Sequence, residues 1–255
     1  MADRVDPWPR AVILLVTGVA AGVVGSVVSL ASLISYPVLL GLGVPPLVAN
    51  MTNRVAIGWN GLGSVLGSRR ELAGLGPLTR TLMPVVMAGG ALGAAVLLTG
   101  SPRSFELMVP ILMALASTAL LVQPRLQRAE GFGARGTTPL TLGSLFAVAV
   151  YNGYFGAAGG VLTLVMIGWV VELPMVRRNA LKNALAATAN LVAMVAYLVF
   201  GTVDWTAALP LATGFLAGGW LGPGVSRRLR EESLRLLICG SGFAVAAVLA
   251  WRTYR

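Results

Sequence analysis

Gly22-Val-Val-Gly25 and Gly153-Tyr-Phe-Gly156 are two versions of one phrase set 131 positions apart, and the residues downstream of each repeat as well. The asparagines Asn53 and Asn60 return 130 positions later as Asn183 and Asn190, and Gly89-Gly-Ala-Leu-Gly93 returns 129 positions later as Gly218-Gly-Trp-Leu-Gly222. Three landmarks in one order at nearly constant spacing mark an internal duplication. A duplicated unit inside an apolar chain is the usual build of a secondary transporter, whose cargo sits where the copies meet.

Composition sets the solvent. With 56% hydrophobic and only 11% charged residues, the 255-residue chain has too little polar surface to coat a soluble globule. Its mean hydropathy of +0.82 belongs in a bilayer. The 32 glycines and the absence of period-2 alternation predict an all-α protein of closely approaching helices, not a barrel of strands. The single cysteine, Cys239, cannot form a disulfide within the chain and histidine is absent, so neither a redox centre nor a metal site is expected, and no cofactor is. The net charge of +10 does not read as nucleic-acid binding, because the basic residues fall in short loops between apolar spans. The apolar stretch from Ala11 to Leu42 shows no cleavage site, which predicts a retained membrane segment.

Apolar runs occupy Ala11–Leu42, Leu47–Gly67, Leu78–Gly100, Phe105–Val122, Pro139–Glu172, Asn179–Phe200, Trp205–Val225 and Leu234–Trp251. Six suit one crossing of about 20 residues. The first and fifth are longer and interrupted by glycine, so each is either a crossing plus a loop or a hairpin of two shorter helices returning to its own side. If all eight cross once, the basic loop residues divide ten against eight, with no orientation signal. If the first and fifth return, Arg69, Arg70, Arg80, Arg125, Arg128, Arg135, Arg177, Arg178, Lys182, Arg227, Arg228, Arg230 and Arg235 share one side, thirteen against five, with Arg54 inside a span. The positive-inside rule favours the second arrangement and predicts both termini outside the cytoplasm. Each half then crosses an odd number of times, which makes the copies inverted repeats: residues 1–122, a linker at 123–138 and residues 139–255.

These repeated segments resemble a known family. The glycine-rich phrase, the proline-containing turn, the small polar helix start and the GGxLG helix, each present twice, resemble the TauE/SafE-type sulfite and organosulfonate exporters over nearly the whole length. The second copy is the nearer, in Gly153-Tyr-Phe-Gly-Ala-Ala-Gly-Gly160, Leu173-Pro174 and Gly201-Thr-Val-Asp-Trp205. The first departs, with Ser26-Val-Val-Ser29 where the family tends to glycine and Ala49-Asn-Met-Thr-Asn53 at the helix start. The resemblance implies export of a small sulfur-containing anion through a multi-pass protein of the cytoplasmic membrane.

One helix in each half begins with a polar cluster: Asn50, Thr52, Asn53 and Arg54 in the first, Asn179, Lys182 and Asn183 in the second. The first turn of a helix carries unpaired N–H groups and a positive dipole end, so two such starts facing each other would favour an anion. Asn53 and Asn60, like Asn183 and Asn190, lie seven apart and therefore share a helix face, the candidate lining of a permeation path. Gly159 and Gly160 permit the close backbone approach that a returning loop beside a ligand needs. Plainer roles stand beside these: Asn50 and Asn179 also read as caps or helix–helix bonds, Lys182 as a headgroup contact, and the GGxLG segments at Gly89 and Gly218 as packing surfaces. Ser26, Ser29, Ser32 and Ser35 offer hydroxyls every three residues, with few counterparts in the second copy, and Glu172 and Asp204 read as interfacial acids.

The expected activity is secondary transport by alternating access, since no nucleotide-binding loop occurs. A passive anion channel and a carrier of small carboxylates are the alternatives. A membrane enzyme is disfavoured by the lack of a nucleophile, metal site or acid–base pair. Lipid and a small anion are the expected partners, with no nucleic acid; self-association is left open.

Overall fold

The computed structural model describes residues 7–28, 31–128, 135–157, 159–225 and 231–254, and the regular structure within them is helical. The basic residues Arg4, Arg227, Arg228, Arg230 and Arg255, together with Ser29, lie outside the described residues. The eight apolar runs become α1 (Pro7–Val28), α2 (Ala31–Gly41), α3 (Pro46–Gly67), the one-turn α4 (Arg69–Leu72), α5 (Gly76–Thr99), α6 (Pro102–Arg128), α7 (Pro139–Tyr154), α8 (Gly159–Val170), α9 (Met175–Phe200), α10 (Trp205–Val225) and α11 (Glu231–Tyr254). Helix α6 carries on through the first part of the expected linker to Arg128. Among the described residues, Trp8–Ser26, Gly76–Thr99 and Met175–Phe200 are long and apolar enough to cross a bilayer.

Both long runs divide in two, unequally. The 22 residues of α1 span roughly 33 Å, whereas α2, α7 and α8, with 11, 16 and 12 residues, span roughly 16, 24 and 18 Å. The first run is thus a full-length helix followed by a short one, and only the second run is a pair of short helices.

Prolines decide where the central helices begin. Pro45 and Pro174 stand at matched positions as the N-caps of α3 and α9, with extended backbones (φ −56°, ψ 145° and φ −53°, ψ 143°). Proline fixes φ and keeps the residue before it out of the helix, so it punctuates a helix start sharply. As a result α3 opens at Pro46 and α9 at Met175, four residues ahead of Asn50 and Asn179. This corrects the expectation that the polar clusters form first turns. They lie in the second and third turns, where the backbone N–H groups are already taken by the helical ladder.

Small residues set the packing. A Cβ at Gly22 of α1 would lie 2.9 Å from the Phe215 carbonyl oxygen of α10, and Gly18 and Gly22 meet Gly214 and Gly218 in rising order, so these helices run parallel. Helices α5 and α7 run parallel in the same way, with Gly89 beside Ala149 and Gly93 beside Gly153. The GGxLG segments are these packing surfaces. In contrast, Gly58 of α3 meets Met194 of α9 while Gly61 meets Ala187, so α3 and α9 run antiparallel.

The two ends of the bundle are tied by polar contacts. Asp204, just ahead of α10, forms an ion pair with Arg10 of α1 at 2.7 Å, and its backbone N–H donates to Thr52 Oγ1 of α3 at 3.0 Å. The run holding α1 and α2 therefore begins and ends on one face, the Asp204 face, and Arg103 joins Thr253 on it. On the other face, Arg177 donates to the carbonyls of Glu71 and Ala73. The run holding α7 and α8 likewise starts and finishes together, with the Arg135 N–H donating to the Trp169 carbonyl at 2.8 Å.

Candidate functional site

Where α3 crosses α9, a cavity of about 60 Å³ opens between the two halves of the chain. That is room for roughly four waters or one small polyatomic ion. Arg54, Asn60 and Ser64 reach it from α3, and Lys182, Asn183 and Asn190 from α9. The hairpin helices close it with Gly25, Ala31 and Ser32 from the first half and Asn152, Gly156 and Gly160 from the second. Among the described residues no Asp or Glu lines it.

Its electrostatics come from two side chains. Arg54 is 2% exposed and Lys182 1%, and an ion taken this far from water costs several kcal/mol unless something compensates. Asn190 Oδ1 accepts from Arg54 Nη1 at 3.0 Å, while Arg54 Nε and Nη2 are buried without a partner among the described residues. Asn60 Oδ1 and Ser64 Oγ on the same wall are also unpartnered. The guanidinium is seated on Gly156, whose φ of +72° only glycine adopts freely and where any Cβ would overlap the Arg54 head group.

Helix ends do face the cavity, though not those the sequence pointed to. The first turns of α2 and α8 border it through Ala31, Ser32 and Gly160, so one positively polarised end from each half points inward. A helix end contributes about 0.3–1 kcal/mol toward an anion, so the Arg54 and Lys182 side chains dominate the site.

Of the residues singled out from sequence, Ser32, Arg54, Asn60, Gly160, Lys182, Asn183 and Asn190 line the cavity together. The others are elsewhere. Asn50 Nδ2 donates to the Tyr154 carbonyl at 3.1 Å, and Asn179 Nδ2 donates to the Ser26 carbonyl at 3.4 Å. Thr52 holds the Asp204 N–H, and Asn53 Oδ1 accepts from Ser35 Oγ at 2.6 Å. Gly159 stands behind the lining, against Asn152, whose Nδ2 donates to Thr163 Oγ1 at 3.3 Å. Asn152, Ser64 and Gly156 were missed by sequence reasoning. Asn152 directly precedes the repeated glycine phrase and Gly156 closes it, so both sat within view; Ser64, four residues after Asn60, is one turn along the same face.

Asp204 works at the boundary, not in the cavity. Its Oδ1 accepts from the N–H groups of Thr206 and Ala207 and from Thr206 Oγ1, which opens α10. Partial burial pushes its carboxyl up, but the Thr206 hydroxyl, the Arg10 charge and the Ala207 N–H hold it below the ordinary carboxylate value.

A many-helix apolar bundle with a small cavity lined by Arg54 and Lys182 where its two halves meet is the architecture of a membrane protein. The comparisons agree: the family model for the sulfite exporter TauE/SafE matches residues 14–249, and the chain belongs to that family. It is 24% identical over 241 residues to the probable membrane transporter protein YfcA of Escherichia coli K12, covering 93% of this chain and 87% of the relative. A probable membrane transporter protein of Haemophilus influenzae is 24% identical over 244 residues, covering 94% of each chain. YunE of Bacillus subtilis, again a probable membrane transporter protein, is 24% identical over 263 residues, covering 89% of this chain and 92% of its own. No solved structure matches. The protein is a multi-pass membrane transporter.

Proposed function

We propose that this transporter carries a small sulfur-containing anion, sulfite or a short organosulfonate, across the cytoplasmic membrane by alternating access, with the cavity as its binding site. One observation carries the reading. Arg54 and Lys182 reach the same enclosed space from opposite halves of the chain, and Arg54 Nε and Nη2 are buried there without a partner among the described residues. An anion with several oxygens meets the unpartnered Arg54 donors, the Asn183 amide and the Ser64 hydroxyl there. The volume and the scarcity of large apolar lining residues favour a compact cargo.

The two halves are inverted repeats, each opening with a returning hairpin. Support comes from the antiparallel course of the matched helices α3 and α9, from the joining of each hairpin's ends, and from the contact of Arg177 with residues 71–73, which eight single crossings would put on opposite sides. Arg69, Arg70, Arg80, Arg135, Arg177 and Arg178 cluster toward the face away from Asp204, so the Asp204 face and both termini are non-cytoplasmic.

Saturable sulfite flux in vesicles of purified protein tests the activity. Flux that is unaffected by R54Q and K182Q in well-folded protein would remove the site. A C-terminal reporter active only in the cytoplasm tests the orientation, and a strong signal would reverse it.

A further inference from the structure

The helices do not sort in space as they sort along the chain. Helices α1 and α3 of the first half lie against α10 of the second, and α7 and α9 of the second lie against α5 of the first. These contacts are backbone on backbone. A Cβ at Gly63 of α3 would lie 2.9 Å from the Leu216 carbonyl oxygen of α10, and one at Gly90 of α5 would lie 3.0 Å from the Ala189 carbonyl oxygen of α9. With the α1–α10 and α5–α7 glycine contacts, they form two close-packed groups with no room for internal sliding. The short helix of each hairpin stays with its own group, α2 on α1 and α3, α8 on α7 and α9.

Contacts between the groups are of another kind. Gly58 of α3 meets the flexible end of the Met194 side chain, and Gly156 of the second hairpin meets the guanidinium of Arg54. Single polar bonds also cross the boundary: Arg54 to Asn190 Oδ1 at the cavity, Asn50 to the Tyr154 carbonyl toward one face and Asn179 to the Ser26 carbonyl toward the other. Side-chain tips and single hydrogen bonds break more readily than interlocked backbones. Gly61 against Ala187 is the close backbone approach between the groups, and both residues line the cavity. The chain passes directly from one group to the other at residues 68–75, where Gly74 has φ +81°, and at residues 201–204. Short connections of this sort absorb hinge rotation.

We propose that the moving parts are these two exchanged units, α1–α3 with α10 and α5 with α7–α9, which rock about the Gly61–Ala187 contact and open the cavity to one face at a time; the sequence halves are not the moving parts. The proposal rests on the transport reading above, and its test separates the two.

In a C239A background, two engineered disulfides have suitable geometry. A Cβ at Gly58 lies 3.6 Å from that of Met194, across the units, and one at Gly90 lies 3.4 Å from that of Ala189, within a unit. Oxidising G58C/M194C abolishes sulfite flux and reductant restores it, whereas oxidising G90C/A189C leaves flux unchanged. Flux lost in G90C/A189C, or retained in fully cross-linked G58C/M194C, overturns the assignment. Spin labels give a readout independent of flux and of these core substitutions. Labels at exposed Phe200 (α9) and Trp220 (α10) change their separation when sulfite is added, while labels at Trp8 (α1) and Trp220 keep theirs. A fixed Phe200–Trp220 distance or a changing Trp8–Trp220 distance also overturns it. Absence of saturable flux in the C239A parent defeats the transport reading alone, and the label distances still decide the units.

Discussion

Helices α3 and α9 carry matching landmarks, and they differ where the proposed site needs it. Each starts at a proline N-cap and carries an asparagine in its second turn that reaches a carbonyl near the far end of the other half's hairpin helix. Each carries two asparagines seven apart. Yet Asn183 and Asn190 both face the cavity, whereas Asn60 does and its partner Asn53 is bonded to Ser35. The cations differ too: Ala184 stands at the position matching Arg54, and Thr52, matching Lys182, holds the Asp204 backbone instead. The two helices are thus alike in their packing and unlike in their charge. An anion bound as proposed would meet a planar guanidinium fork on one wall and a compact ammonium on the other.

The largest effect expected from breaking this comparison is at Arg54. R54Q removes a buried charge and leaves Asn190 without its partner, which lowers flux at limiting sulfite about 100-fold, the equivalent of about 3 kcal/mol. R54K keeps the charge but loses the fork and recovers part of it. At Lys182, a single-point contact, K182Q costs about 10-fold in the same assay. Equal losses at the two positions would mean that the walls contribute alike. N190A acts through Arg54, whose guanidinium it leaves unanchored, and raises KM for sulfite about 5- to 10-fold, the value of one charge-assisted hydrogen bond.

Smaller effects test the matched bonds. N50A and N179A each remove about 1 kcal/mol from one end of the bundle. Thiol labelling of a cysteine placed at Ser64 then reads opposite responses, with reagent entry from the Asp204 face rising in N50A and from the Arg177 face in N179A. The smallest change concerns Asp204. Because its carboxyl is held low in the folded protein, its stabilisation is present above about pH 3.9 and is lost as pH falls through the lower folded value. D204A therefore lowers Tm at neutral pH by the loss of about 1 kcal/mol of helix capping, and the gap to the parent closes on acidification.

Much of the fold was legible in the residues. Composition names the solvent, and glycines with doubled landmarks report the duplication, because helices meeting backbone to backbone tolerate no Cβ at those positions. The proline-punctuated helix starts were misplaced by one turn. Leu47, Val48 and Ala49 after Pro46, and Met175 and Val176 after Pro174, carry no polar signal, while the clusters further on do. The cavity was half legible. Polar residues seven apart announce a shared face, but whether that face meets the cavity or a neighbour's hydroxyl depends on what packs opposite, and Ser35 is eighteen residues from Asn53.

By itself the sequence determined that this protein is a bundle of membrane helices, since apolar surface and glycine spacing are local properties that each segment carries with it. Only the tertiary structure decided which helices lie together, that Arg54 and Lys182 share one small space, and that the helix ends bordering it are those of α2 and α8. Those are relations between segments far apart along the chain, 60 residues for Gly89 and Ala149 and 128 for Arg54 and Lys182, fixed by how backbones interlock, and no local pattern encodes them.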